Sequence, residues 1–237
     1  MIEINDLCVE YGQNIRALNH ISLTLKDHRC IGIIGQNGSG KSTFLSAIIS
    51  LVDYQGTITV DNLDVVQHIE KIREKIGFVF QNPDHQLFMS TVYQDISFGM
   101  INQGKTKDEI EREINNIAAL FHIEDLLTRS SHHLSGGQKR MVALATVLVM
   151  HPDILLLDEP SSFLDPKSRR IIINILKQLK QQIIFATHDL DMALDICDEI
   201  ILLNDGQIKA MGKAQEILTD RQLLEDNGLE LPFRLQK

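Results

Sequence analysis

Apolar and polar residues alternate over residues 2–9 and again over residues 21–25. A period of two sends successive side chains to opposite faces, so both stretches are expected to be half-exposed antiparallel strands. Residues 30–34 form a compact apolar strand that runs into a glycine-rich turn, and residues 42–50 read as a helix. Residues 56–60 and 75–80 read as further strands. From Asp84 to about Met150 helical periodicity dominates, most clearly over 107–121 and 139–150. Residues 154–157 read as a buried strand. Residues 166–180 read as a helix with a proline near its first turn. Residues 183–187, 199–203 and 207–211 complete the strands. The tail after about Gly212 is short and helical, too short for a second domain.

Strands alternating with helices predict a parallel α/β sheet. The N-terminal strands add an antiparallel β subdomain, and residues 84–150 are expected to be a mostly helical insertion. Residues 1–237 are read as one domain. With 43% apolar residues the chain has enough to bury a sizeable core.

Charge narrows the partners. The chain carries 23 basic and 32 acidic residues, a net charge of -9. That balance argues against non-specific binding to nucleic acid or to an anionic membrane, and no nucleic-acid partner is expected. A local phosphate site needs only a few donors and stays open. The longest apolar runs, such as residues 141–150, fall well short of the roughly 18 needed to span a bilayer. The first twelve residues hold three acids and no basic segment, so no signal peptide is expected. Cys8, Cys30 and Cys197 are odd in number and far apart in sequence. They fit neither a disulfide framework nor a CxxC metal site and are read as structural thiols in a reduced, cytoplasmic protein.

Gly35-Gln36-Asn37-Gly38-Ser39-Gly40-Lys41-Ser42-Thr43 matches GxxxxGK[ST] in full, after an expected strand and before an expected helix. Glycines let successive backbone N–H groups turn inward toward an anion, and the helix start adds its positive end. Lys41 would place a charge on the β- and γ-phosphates, and the Ser42 hydroxyl is positioned to ligate Mg²⁺. Residues 154–157 lead into Asp158-Glu159. Beside a phosphate loop, Asp158 would hold Mg²⁺ and Glu159 could polarise the attacking water. Alone, the same pair would be solvated acids at a strand end. Leu134-Ser135-Gly136-Gly137-Gln138 stands before another helix, about 94 residues after Lys41. It offers a second phosphate-reading helix terminus. One nucleotide has no use for two such termini from distant parts of one subunit, so the second is expected to serve a nucleotide on another subunit.

Phosphate loop, LSGGQ and strand-end DE, in this order and spacing, resemble the ATP-binding cassette (ABC) ATPases. The resemblance covers essentially the whole chain, from Tyr11 to about Gly212. It implies ATP as substrate with Mg²⁺, and a head-to-tail pair in which Ser135, Gly136, Gly137 and Gln138 face the other subunit's phosphate loop. It also implies roles for four residues that would be unremarkable alone. Tyr11 stands where the family stacks an aromatic on adenine. Gln81, forty residues after Lys41, falls at the glutamine loop that contacts Mg²⁺ and the attacking water. Asp165, in Ser162-Phe163-Leu164-Asp165, falls at the D-loop; taken singly it would be a helix N-cap. His188 falls at the switch histidine that contacts the γ-phosphate. Phe163 is bulkier than the residue often found at its position. The other eight histidines have no such register, and His85, His132 and His133 are read as solvated.

Gln81-Asn82-Pro83-Asp84-His85-Gln86-Leu87-Phe88 is similar to the cobalt-importer and energy-coupling-factor subfamily. There the segment forms a short helix against an integral membrane partner. Asp84, Leu87 and Phe88 are therefore expected to dock that partner from an exposed loop; a satellite core under the helical block is the competing reading. The resemblance implies an ATPase that powers import of a metal ion or vitamin, peripheral on the cytoplasmic face of the membrane. Its partner ATPase would be a second copy or a paralogue. A conventional ABC transporter ATPase and a soluble iron–sulfur assembly ATPase are the alternatives.

Overall fold

Alternation at the N-terminus builds the smaller of two sheets. In the computed structural model, which describes residues 1–12, 15–26 and 30–236, β1 (Ile2–Tyr11) pairs antiparallel with β2 (Ile15–Leu25). The larger sheet begins with β3 (Cys30–Ile34), every residue of which is buried. The chain then returns to the small sheet through β4 (Gln55–Val60), antiparallel to β1, and the two-residue β5 (Leu63–Asp64). The strand order there is β2-β1-β4-β5.

Six strands make the second sheet, in the order β10-β9-β3-β8-β7-β6. They include β6 (Ile76–Val79), β7 (Ile154–Asp158), β8 (Gln182–Thr187), β9 (Glu199–Asn204) and β10 (Gln207–Lys213). All neighbours run parallel except β10, which returns antiparallel along β9. Asp205 and Gly206 turn that hairpin with φ of 49° and 68°, the positive pair that a two-residue hairpin loop requires. The core is thus the expected parallel sheet, with one antiparallel strand at its edge.

Period two divides the core between the sheet's faces. Cys30 and Ile34, Leu155 and Leu157, and Ile183 and Phe185 share one apolar cluster with the helical block. Ile31 and Ile33, Ile154 and Leu156, and Ile184 and Ala186 share the other with the small sheet. Between the sheets lies α1 (Lys41–Ile48), burying Phe44, Leu45, Ala47 and Ile48. The seven-residue α2 (Ile69–Lys75) leads into β6.

Between β6 and β7 stand α3 (Val92–Asn102), α4 (Lys107–Phe121) and α5 (Gly136–Leu148). Thr106 and Glu109 close a capping box on α4, whose Ile110, Ile114, Ile117, Ala118 and Phe121 repeat at helical spacing and are buried. Beyond β7 follow α6 (Pro166–Gln178), α7 (Leu190–Ile196), α8 (Ala214–Thr219) and α9 (Arg221–Asp226). The pattern had not announced β5, α2 or α7. Each is too short to complete a readable period. No helix among the described residues is long and apolar enough to cross a membrane.

Candidate functional site

The parallel strands end on one side of the larger sheet, and the glycine loop leaves β3 there. Gly35 turns out of the strand at φ 155°, where a Cβ would sit 2.1 Å from the Leu203 carbonyl oxygen. Gly40 caps α1 at φ 102°, and a Cβ there would meet the Ala17 carbonyl oxygen at 2.5 Å. Only glycine meets both demands. Gln36, Asn37 and Gly38 stand exposed at the crest, whereas Ser39 is buried and its hydroxyl has no hydrogen-bond partner. Lys41 folds back beneath them, its Nζ donating to the carbonyls of Gly35 at 2.8 Å and Gln36 at 2.9 Å. Burial lowers the Lys41 pKa, and the negative charges of Glu159 and Asp158 partly offset this. Tyr11 ends β1 half in solvent, its hydroxyl 3.3 Å from Thr43 Oγ1.

β7 delivers the two acids beside this loop. Ser42 Oγ donates to Asp158 Oδ1 at 2.9 Å. Burial raises the Asp158 pKa and Glu159 raises it further; the Ser42 hydrogen bond, Lys41 and Arg140 oppose the rise. A hydroxyl and a carboxylate meeting at one point are the hard oxygen donors that fit Mg²⁺. Glu159 adopts φ 50°, in the left-handed region that a non-glycine residue occupies at a cost. Its Oε2 lies 2.8 Å from His188 Nδ1 and accepts the His188 amide at 3.3 Å and the Thr187 hydroxyl at 3.4 Å. Next in the chain, Asp189 is half-buried, and partial burial raises its pKa, but hydrogen bonds from Arg169 and the Met192 amide bring it below the usual value.

Gln81 shares a cavity of about 1150 Å³ with His188 and the D-loop residues Ser162 and Phe163. Asp165 caps α6, accepting from the Lys167 and Ser168 amides at 2.9 and 3.1 Å. Phe163, which follows Ser162 there, is 71% exposed at φ 66°. Ser135 and Gln138 close a capping box at the start of α5, with Ser135 and Gly136 exposed. The glycines of this terminus rest on the D-loop, Gly136 against Phe163 and Gly137 against Leu164.

Arg140 carries no motif label in the sequence reading, yet it ties these parts together. Its side chain is wholly buried in α5, donating to the carbonyl oxygens of Phe80 at 2.6 Å and Gln81. Burial lowers its pKa to about 10, against the pull of Asp158 and Glu159. The signal was available: a cation inside the apolar run of α5 must find acceptors. The C-terminal segment was also missed. Arg234 pairs with Asp191 and Asp195 of α7, and Gly228 lies against the Gln36 side chain.

The segment after Gln81 departs from the exposed docking loop that was expected. Leu87 is 4% exposed and belongs to the core. Asp84 is already paired with Lys139 Nζ of α5 at 2.5 Å. Gln86 donates to the Ala143 carbonyl and the Thr146 hydroxyl, both at 2.7 Å. Pro83 and Asp84 start a single 3-10 turn that cannot bury Leu87 by itself, so the chain folds it under α5. Phe88 projects, 62% exposed and edge-on to Phe98 at 5.1 Å between ring centres, and Asp84 and His85 are exposed beside it. The cysteines are also less isolated than their spacing implied. Cys197 lies beside Cys30, and burial first, then that neighbour, pushes its thiol pKa well up.

A phosphate-type loop, a buried ammonium and paired strand-end acids on a parallel sheet define a P-loop nucleoside triphosphatase. A family model described as ABC transporter matches residues 18–162. The energy-coupling factor transporter ATP-binding protein EcfA1 of Latilactobacillus sakei is 41% identical over 240 residues, spanning 98% of this chain and 85% of that protein. EcfA of Carboxydothermus hydrogenoformans is 41% identical over 98% of this chain and 87% of its own length. Among solved structures, cbiO1 from Clostridium perfringens, part of the ABC transporter complex cbiONQ, matches with a TM-score of 0.80. It is 36% identical and covers 95% of this chain and 93% of that one. The dimeric cassette MJ0796 matches at 0.84 with 29% identity, over 90% of this chain and 99% of that one. The chain belongs to the ABC transporter family. It is an ATP-binding, ATP-hydrolysing subunit of a transporter.

Proposed function

We propose that this ATPase energises an importer of the energy-coupling-factor type. The likeness to two energy-coupling-factor ATP-binding proteins along 98% of the chain carries this reading. Lys41 and the loop residues Gly35 to Thr43 would bind the phosphates, with Tyr11 against the base. Ser42 and Asp158, with Gln81 nearby, would hold Mg²⁺, which supplies charge neutralisation to the transferring phosphoryl group. Glu159 accepts a proton from the attacking water, and His188 steadies that carboxylate through Nδ1 while turning its other edge toward the γ-phosphate. Ser135, Gly136, Gly137 and Gln138 complete the site of a second ATPase subunit. Asp165 crosses toward the same partner from the D-loop.

The membrane partner docks where Phe88 and Phe98 break the surface. Phe98 lines a groove of about 1080 Å³ with the apolar Phe78, Met100, Val147 and Met150 and the charged Arg73 and Arg112. A helix of an integral membrane protein would fit that apolar floor, leaving this chain peripheral on the cytoplasmic face. Isolation from native membranes in mild detergent, followed by mass spectrometry, tests this. A helical membrane protein and a second ATPase in stable complex support it. A soluble iron–sulfur assembly protein in their place overturns it.

A further inference from the structure

Away from the nucleotide loop, three donor-bearing side chains of the β1–β2 pair face one point. A carboxylate oxygen of Asp6, the sulfur of Cys8 and a ring nitrogen of His20 all lie within 4.8 Å of one another. Among the described residues this is the one cluster of at least three such groups. The strand pairing explains how they meet. β1 and β2 shift register between Ile4 and Leu7 and again between Leu7 and Val9. Asp6 and His20 stand at these irregularities, each at φ 53°. Their amides leave the ladder: Asp6 donates to Ser22 Oγ at 2.9 Å and His20 to Cys8 Sγ at 3.2 Å. Cys8, 8% exposed, forms the floor, while Asp6 and His20 form an exposed rim with Nδ1 and Oδ1 2.7 Å apart.

We propose that Asp6, Cys8 and His20 form a surface site for a divalent transition-metal ion of the zinc class, with a further position open to water. The donor set selects the ion. Thiolate and imidazole suit Zn²⁺, which takes sulfur, nitrogen and carboxylate oxygen together and tolerates three protein ligands plus water. Mg²⁺ and Ca²⁺ demand more oxygen ligands than one carboxylate supplies. Binding releases the thiol proton to solvent and replaces the Asp6–His20 hydrogen bond by two bonds to metal. The site lies on the strand that ends in Tyr11 but shares no residue with the phosphate loop.

Cobalt titration of the full, reduced chain in excess Mg²⁺ tests the proposal. Sulfur-bound Co²⁺ should give a near-ultraviolet charge-transfer band with visible bands of tetrahedral type, and stoichiometric Zn²⁺ should bleach both. Cys8→Ser should abolish the charge-transfer band. His20→Asn and Asp6→Asn, which keep a residue that accepts positive φ, should weaken Zn²⁺ binding about tenfold or more. These two exposed positions keep the test valid should Cys8→Ser fail to fold. A wild-type chain without the sulfur band overturns the site. So does a band that survives in Cys8→Ser, which would place the metal on another thiol. Unchanged affinity in both asparagine variants would reduce the Asp6–His20 contact to a hydrogen bond.

Discussion

His188 Nδ1 lies 2.8 Å from Glu159 Oε2, joining the end of β8 to the end of β7. The carboxylate is 5% exposed on its side chain and the imidazole 62%. One partner is therefore fixed in the wall and the other reaches outward, as a base and its γ-phosphate-reading neighbour require. Glu159, at φ 50°, is held by the hydrogen bond its amide N–H donates to the Ala186 carbonyl, at 2.9 Å. Replacing it with glutamine keeps the shape and removes the proton acceptor. Glu159→Gln should retain ATP binding and lose hydrolysis by ~10²–10⁴-fold. Phosphate release set beside titration with a fluorescent ATP analogue reads both; near-normal turnover would exclude Glu159 as the base.

Lys41 and Ser135 belong to two separate helix termini, and this separation predicts complementation. Lys41→Ala should abolish tight ATP binding, since it removes the ammonium seated on the Gly35 and Gln36 carbonyls. Ser135→Arg should leave binding to the isolated subunit intact and block closure of the pair. Mixing the two variants should restore at most one composite site per dimer. Loss of nucleotide binding by Ser135→Arg alone would refute the placement of that terminus on the partner's site.

Arg140 is the position where a conservative change should be costly. Arg140→Met keeps apolar bulk but strands the Phe80 and Gln81 carbonyls, at about 1–3 kcal/mol for each acceptor left without a donor. Arg140→Lys restores a charge without the planar fork and should recover only part of the loss. Urea unfolding measures the stability, and ATPase rate per folded molecule reports whether Gln81 has moved. An unchanged unfolding midpoint in Arg140→Met would show that these carbonyls find other donors.

Asp95 gives a pH signature. It is buried at the start of α3, where Oδ1 accepts the Phe88 and Met89 amides at 3.0 and 2.9 Å and Oδ2 has no partner. Burial raises its pKa above the usual carboxylate range, against the pull of those amides. A group whose folded pKa is raised contributes stability below its unfolded value, near ~3.9, and loses it as pH rises through the folded value. Asp95→Asn removes this titration. The stability difference between wild type and variant should therefore shift toward the variant as pH rises from about 4 to about 7. Unfolding midpoints across that range decide it; a constant difference would show that Asp95 does not titrate there.

Phe88 and Phe98 carry the docking prediction, since Leu87 is core and Asp84 is paired within the chain. Burying one phenylalanine contributes about 1.5–3 kcal/mol, enough to change affinity by roughly one to two orders of magnitude. The double change Phe88→Ala with Phe98→Ala should leave ATPase activity of the isolated subunit unchanged. It should also prevent stable assembly with the membrane partner or uncouple transport from hydrolysis. Intact assembly and coupled transport would move the docking surface elsewhere.

Local rules were enough for much of this protein. The phosphate loop between β3 and α1, the capping box at Ser135, the apolar approach to Asp158 and Glu159, and the heptad-like face of α4 are all legible because neighbours in sequence make them. Where long-range contacts decided the outcome, the sequence was mute. Leu87 looked exposed until α5 covered it, and Asp84 looked free until Lys139 reached it. Arg140 gained its meaning from carbonyls about sixty residues away. Cys8 looked like an isolated thiol until two register shifts turned Asp6 and His20 toward it. The physical reason is the same in each case. Periodicity reports which face of an element is apolar, whereas the partner across that face is chosen only when the whole chain has packed.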